Sequence, residues 1–370
     1  MKYIINLTFL FLCFILCSCS FQTSFFKEIN KNFINKNIIT SPLSAYQVIG
    51  LTSNGANDKT LEQMLLALEN ESLEELNNIN VEILNTSKDF TTIEIANAIM
   101  TTFNPKEKFL NAASKYESSV ETLKSVAQVN NWCNLKTHGK IEKILDELDP
   151  NTVMILLNAI YFKGTWYTEF PENATLTTNF YNFNDESKVA KVDMMSIKDY
   201  FNYYEDKEMQ IIELPYTKDS MSAIIILPNE DIEINDYISD LNDDKLQKLM
   251  KKMYQEEVEL KLPKFELDFS CLLNDVLQKM GMINAFVADK ADFTGMRDIK
   301  DIFIGKVIQK TYLKVDEKGT EAAAVTAVVF YNSLPRNIKM NVNRPFLFFL
   351  RNKKLPINYE MIFMAKIEEL

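Results

Sequence analysis

Histidine occurs once among the 370 residues, at position 138, and tryptophan twice. One imidazole excludes a His-ligated metal centre and multi-histidine acid–base chemistry, and any Ser-His-Asp triad would have to use His138. Glycine is scarce as well. Its eight positions, 50, 55, 139, 164, 281, 295, 305 and 319, form no GxG or GxxxxGK pattern, so no phosphate-cradling loop is present in the sequence. Of five cysteines, Cys13, Cys17 and Cys19 crowd the start, which leaves only Cys133 and Cys271. That is too few for a disulfide framework; two unpaired buried thiols are expected, with one bridge as the alternative. Positive charge is the minority, 40 Lys+Arg against 51 Asp+Glu for a net −11, without local clusters. This argues against a nucleic-acid partner.

What is present is the composition of a folding chain, 47% hydrophobic and 25% charged, which excludes wholesale disorder. Residues 1–19 carry one early charge, Lys2, then an apolar stretch to about Leu16, then Cys17, Ser18 and Cys19. They read as a cleaved secretory signal, too short for a membrane span. Its removal leaves 39 positive against 51 negative side chains, or −12. The mature protein is expected to be acidic, secreted and extracellular. Leu16-Cys17-Ser18-Cys19 also resembles a bacterial lipid-attachment box, which would anchor the chain at Cys19. Sequons at Asn70, Asn85 and Asn173 fit a eukaryotic secretory route and a glycoprotein.

No repeat or Pro/Gly/Ser-rich linker interrupts residues 20–370, so one large domain is expected. The first half reads as mainly helical: apolar residues at 61, 64, 65 and 68 make one buried helical face. The stretch 61–82 holds six glutamates and no Lys or Arg, a solvated acidic face that excludes heparin-like polyanions. The second half reads as strands. Val258, Leu260 and Leu262 alternate with charges up to Pro263, and Phe265, Leu267 and Phe269 repeat the pattern. The run 223–227 suits a strand covered on both faces, and 272–282 suggests a helix. His138 is expected on a helix shared with Cys133, exposed and inert. Blocks of α and β without strict alternation point to an α+β fold.

Residues 317–331, EKGTEAAAVTAVVFY, are the most informative. Read as a strand, Thr320, Ala322, Ala324, Thr326, Val328 and Phe330 share one face that is uncharged throughout and small at its start. Glu321, Ala323, Val325 and Tyr331 belong to the other face. The segment reads equally as an ordinary core strand or as one that can be slotted into an existing sheet. A polar stretch with Pro335 comes next, an exposed loop.

Several motifs decide between these. Asn37-Ile-Ile-Thr-Ser-Pro-Leu-Ser-Ala, Asn130-Asn-Trp-Cys-Asn-Leu-Lys-Thr-His-Gly-Lys-Ile, Leu157-Asn-Ala-Ile-Tyr-Phe-Lys-Gly-Thr-Trp and Glu213-Leu-Pro-Tyr occur in that order. The stretch Lys314 to Thr326, Asn343-Arg-Pro-Phe and Phe363-Met-Ala-Lys complete the set. Together they resemble the serpin family over the whole mature length. The resemblance implies three β-sheets with eight to nine helices and an exposed reactive-centre loop within about 317–340. It implies an inhibitor rather than an enzyme, monomeric, without cofactor or metal, that traps a serine protease as an acyl-enzyme when its cleaved loop enters the main sheet.

Roles are assigned by position. The resemblance makes Glu317, Gly319, Thr320, Glu321, Ala322, Ala323, Ala324, Val325 and Thr326 the hinge, with Val325 larger than usual and expected to slow insertion. Ser41, Pro42, Ser44 and Asn158 match the shutter, and Trp166 the breach. Gln309 stands where many serpins carry a shutter histidine; it can donate and accept, so the network should survive without pH dependence. Family spacing from Gly319 sets the scissile bond at Ser333–Leu334. Counting back from Pro345 selects Leu334, alignment of the serine selects Asn332, and Arg336 would imply a trypsin-like target. Ser333 implies an elastase- or subtilisin-like protease. Two other readings compete: a non-inhibitory serpin-fold carrier, chaperone or storage protein, against which the alanines weigh, and a hydrolase using a cysteine with His138.

Overall fold

A computed structural model describes residues 19–87, 93–140, 142–217, 220–320 and 337–370. Among these, nine α-helices occur: α1 (Phe21–Asn32), α2 (Pro42–Ser53), α3 (Asp58–Ala67), α4 (Leu73–Ser87), α5 (Glu107–Lys115), α6 (Val126–Lys136), α7 (Ile234–Asp240), α8 (Asp243–Lys252) and α9 (Asn274–Lys279). The strands are β1 (Ile38–Thr40), β2 (Ile93–Thr101), β3 (Ser119–Thr122), β4 (Met154–Phe162), β5 (Gly164–Thr165), β6 (Leu176–Tyr181), β7 (Val189–Glu205) and β8 (Met209–Pro215). They continue with β9 (Met221–Pro228), β10 (Tyr254–Pro263), β11 (Phe265–Leu272), β12 (Lys306–Val315), β13 (Gly319–Thr320), β14 (Ile338–Asn341), β15 (Phe346–Asn352) and β16 (Met361–Ile367).

The described strands form ladders of nine, five and two strands. In the nine-stranded ladder, β9 lies between β8 and β15 and is buried along its whole length, as its unbroken apolar run predicts. The five-stranded ladder runs β11-β12-β4-β2-β3. Pro263 and Lys264 are where the chain leaves β10 in the first ladder for β11 in the second; a proline that cannot donate to a ladder suits that crossing.

Helix α2 bridges the two larger ladders. Ser41 caps it, its Oγ accepting the Ser44 amide at 3.3 Å, and Pro42 opens the first turn. Every residue from Pro42 to Ser53 is buried. A helix buried on every face belongs in the core; its polar members Ser44, Gln47, Thr52 and Ser53 are buried too, and α2 packs against β16 of the nine-stranded ladder and against β2 and β4 of the five-stranded one.

Three expectations change. Among the described residues, the first half holds six helices but also β2 and β4, which lie side by side inside the five-stranded ladder. The helix expected over 272–282 spans only Asn274–Lys279: Leu272 is captured by pairing with Ile308, and Gly281, at φ +105°, turns the chain out of helical conformation. Helix α6 stops at Lys136, and His138 (φ +51°) lies beyond it, not on a helix shared with Cys133. His138 is exposed, its Nε2 2.8 Å from Glu94.

Candidate functional site

Strands β4 and β12 pair directly and in parallel, from Lys306↔Ile155 to Tyr312↔Tyr161. Across this seam and the next, register aligns three amide side chains in one row, Gln309↔Asn158 and Asn158↔Asn97. Gln309 Nε2 donates to Asn158 Oδ1 at 2.8 Å, and Asn158 Nδ2 donates to Asn97 Oδ1 at 2.6 Å and to Ser44 Oγ. Gln309 also grips the start of α2, donating to the Ser41 carbonyl (2.9 Å) and accepting the Ser41 amide (3.0 Å) and the Thr40 hydroxyl. Thr311 donates to the Ile39 carbonyl at 2.7 Å. Ser41, Ser44 and Asn158 are fully buried and Gln309 nearly so. The row contains no ionisable group. The structure thus brings Ser41, Pro42, Ser44, Asn158 and Gln309 together beneath the seam. It adds Thr40, Asn97 and Thr311, which the sequence reading missed; Asn97 breaks an apolar strand pattern, and that was its only signal.

The seam's upper end is built differently. After β12 the chain reverses in a tight turn: the Asp316 amide donates to the Gly319 carbonyl (2.9 Å) and the Gly319 amide to the Asp316 carbonyl (3.2 Å). Lys318 N donates to Asp316 Oδ1 at 3.0 Å. Gly319 has φ +127°, and a β-carbon there would stand 2.2 Å from the Gly164 carbonyl oxygen. The turn delivers β13 antiparallel onto β5, Gly319↔Thr165 and Thr320↔Gly164. Trp166 is buried beside it, stacked on Tyr216 with ring centroids 4.3 Å apart, its Nε1 donating to the Asp316 carbonyl at 3.0 Å.

Glu317 anchors the turn. Its carboxylate accepts Thr175 Oγ1 at 2.8 Å and pairs with Lys264 Nζ at 3.0 Å. Burial pushes its pKa up, but its own amide, Thr175 and Lys264 outweigh this and hold the carboxyl below the usual carboxylate range. Lys264 is correspondingly raised, chiefly by its bond to Glu317. The expected hinge residues Glu321, Ala322, Ala323, Ala324, Val325 and Thr326, and the bond candidates Asn332, Ser333, Leu334 and Arg336, lie outside the described residues.

Cys133 and Cys271 are both buried and unbridged, and burial pushes each thiol up to about 12. Neither is an activated nucleophile. Of the sequons, Asn85 and Asn173 are exposed. Asn70 is buried, its amide nitrogen donating to Tyr46 OH (2.9 Å) and the Leu68 carbonyl (2.6 Å), so it offers no acceptor for a glycan. Among the described residues no helix is long and apolar enough to cross a membrane.

Comparison with known proteins agrees with this geometry. The family described as Serpin (serine protease inhibitor) matches residues 17–369. The leukocyte elastase inhibitor of Xenopus laevis is 33% identical, covering 88% of this chain and 92% of its own. Iripin-8 of Ixodes ricinus is 33% identical, covering 90% of this chain and 88% of its own. The native-state crystal structure of the thermophilic serpin tengpin superposes with a TM-score of 0.85 at 32% identity, over 96% of this chain and 94% of that one. Human thyroxine-binding globulin shares the fold, with a TM-score of 0.85 at 24% identity over 95% of this chain and 97% of its own. Residues drawn from distant segments into one buried amide row, the turn at the seam's mouth and the match over almost the full length agree: this chain belongs to the serpin family of serine protease inhibitors.

Proposed function

We propose that this serpin is a secreted suicide-substrate inhibitor in which residues 1–19 are a signal, 20–370 the inhibitory domain and about 317–340 the reactive-centre loop. The protease attacks Ser333–Leu334, and the freed hinge enters the seam while the acyl-enzyme persists. One observation carries this reading: β4 and β12 are paired with each other, while the chain leaving β12 has already turned back and laid Gly319–Thr320 on β5. Because the neighbours are parallel, a strand folding back from β12 runs antiparallel to both. One parallel ladder is exchanged for two antiparallel ones, the slightly stronger kind.

Register supports the length. Continued without a bulge, the Thr320↔Gly164 pairing brings Thr326 opposite Asn158 and Phe330 opposite Met154, the first residue of β4. The uncharged face of 320–330 matches that interior position, and ten steps at about 3.4 Å carry the loop roughly 34 Å down the sheet. About ten added residues at a net of roughly 0.5–1.5 kcal/mol per hydrogen bond supply on the order of 10 kcal/mol. A domain's whole stability is about 5–15 kcal/mol, so the uncleaved form is a kinetic trap.

Ser333 before the cut favours an elastase- or subtilisin-like target, in keeping with the elastase inhibitor named among the relatives. Mixing the protein with such proteases should give a complex that survives boiling in detergent and release a peptide beginning at Leu334. A peptide beginning at Asn337 would assign the cut to Arg336 and a trypsin-like enzyme. Loop cleavage with complete release of active protease across the panel would falsify inhibition and leave the carrier reading.

A further inference from the structure

Two carboxylates converge on the start of α1. Asp243, in the first turn of α8 and buried, accepts the Ser20 amide on one oxygen and the Ser20 hydroxyl on the other at 2.8 Å. Gln22 Nε2 (3.2 Å) and Thr23 Oγ1 (3.0 Å) complete its shell. Glu69, exposed just beyond α3, lies near enough to the Phe21 amide and to Asp243 to feel both electrostatically. Among the described residues neither carboxylate has a Lys or Arg partner; Lys27 of the same helix donates to the Leu241 carbonyl instead. Neutral donors and a helix N-terminus offset part of this charge, yet a buried anion without a counter-charge is costly. The Glu69 carboxyl, exposed at the edge of the site, is pushed up to about 7 by desolvation first and by Asp243 second.

The sequence before Ser20 independently points to the missing charge. Cys17 and Cys19 are small residues three and one positions before Ser20, the spacing a secretory cleavage site requires. We propose that a signal peptidase hydrolyses the Cys19–Ser20 bond and that the new α-ammonium of Ser20 is the cation of this site, docked on Asp243 beside Glu69. Water adds across the amide: Cys19 departs with the carboxylate and Ser20 keeps the nitrogen, protonated. That nitrogen already donates to Asp243, so cleavage converts a neutral hydrogen bond into a charge-assisted one without moving the chain. The two carboxylates in turn counter a positive charge that a helix N-terminus alone would disfavour. Signal removal thereby fastens α1 to α8 and makes the mature fold firmer than its precursor.

This inference rests on the secretion reading, and two measurements separate them. Intact mass and terminal sequencing of protein secreted from insect cells should give Ser20 as the first residue; a lipidated Cys19 or any other terminus overturns the processing step. Independently, a chain beginning at Ser20, released from a fusion by site-specific cleavage, is compared with the same chain bearing one extra glycine. The Ser20 chain should melt at least about 3 °C higher, and Asp243→Asn should abolish the gap. If Asp243→Asn does not fold, Glu69→Gln should narrow the gap instead. Equal melting of the two chains with both carboxylates intact overturns the ion pair. Neither readout requires a protease, so both report whether or not the protein inhibits one.

Discussion

The bond from Gln309 Nε2 to Asn158 Oδ1, 2.8 Å long, crosses the seam between β12 and β4. Admitting a strand widens that separation from about 4.8 Å to about 9.6 Å, so this bond exists only in the closed sheet. Gln309→Met keeps the side-chain length and deletes the amide. In the intact protein it removes four contacts: to Asn158 Oδ1, the Ser41 carbonyl and amide, and the Thr40 hydroxyl. At about 1–3 kcal/mol for each buried group left unpaired, with partial relaxation, the loss should be about 3–5 kcal/mol. Loop-cleaved protein has already lost the cross-seam contact and should lose about 1–3 kcal/mol less. Guanidinium denaturation of intact and cleaved forms, wild type and variant, measures both. Insertion should also be faster by roughly fivefold for each kcal/mol by which the closed sheet is selectively weakened. Equal losses in the two forms, or a greater loss in the cleaved one, would refute the assignment of this bond to the closed state.

Three further outcomes are expected. Thr320→Arg places an unpaired charge on the inserting face and should convert inhibitor into substrate; an unchanged stoichiometry of inhibition would show that the face is wrongly assigned. Glu317→Gln should lower the melting temperature at pH 7. Because the folded pKa of Glu317 is depressed, its contribution is present above the unfolded carboxylate range and lost as pH falls through the folded value. The gap to wild type should therefore close below about pH 4, and a constant gap from pH 7 to 3 would contradict the Lys264 pairing. Gly319→Ala forces a β-carbon against the Gly164 carbonyl at a φ that disfavours side chains. It should cost about 1–3 kcal/mol, read by urea titration, and a neutral result would mean that the turn is not held as described.

The fold class was legible in the sequence because alternation in β10 and β11 and the apolar run of β9 are direct imprints of burial. The candidate site was legible only through ordered motifs. Ser41 and Gln309 lie 268 positions apart, and no periodicity links them. Thr311 escaped because one polar residue in a strand looks like ordinary alternation, and Asn97 because a single break in an apolar face names no partner until register aligns it with the next strand. Lys264 and Glu317 are two charges among many, and only the turn at Asp316–Gly319 makes them neighbours. Element ends were the weakest point: the end of β11 took Leu272 from the helix expected there, a tertiary pairing that local propensity does not encode.

The two thiols enclosed in the body of the molecule carry a consequence for where it can work. Cys133 and Cys271 are held reduced and protonated by their surroundings, so the architecture asks nothing of the ambient redox potential. Among the described residues no disulfide ties the fold together, so a reductant has none to break there. The body of the fold, with both thiols enclosed, is thus as well suited to a thiol-rich milieu as to an oxidising one.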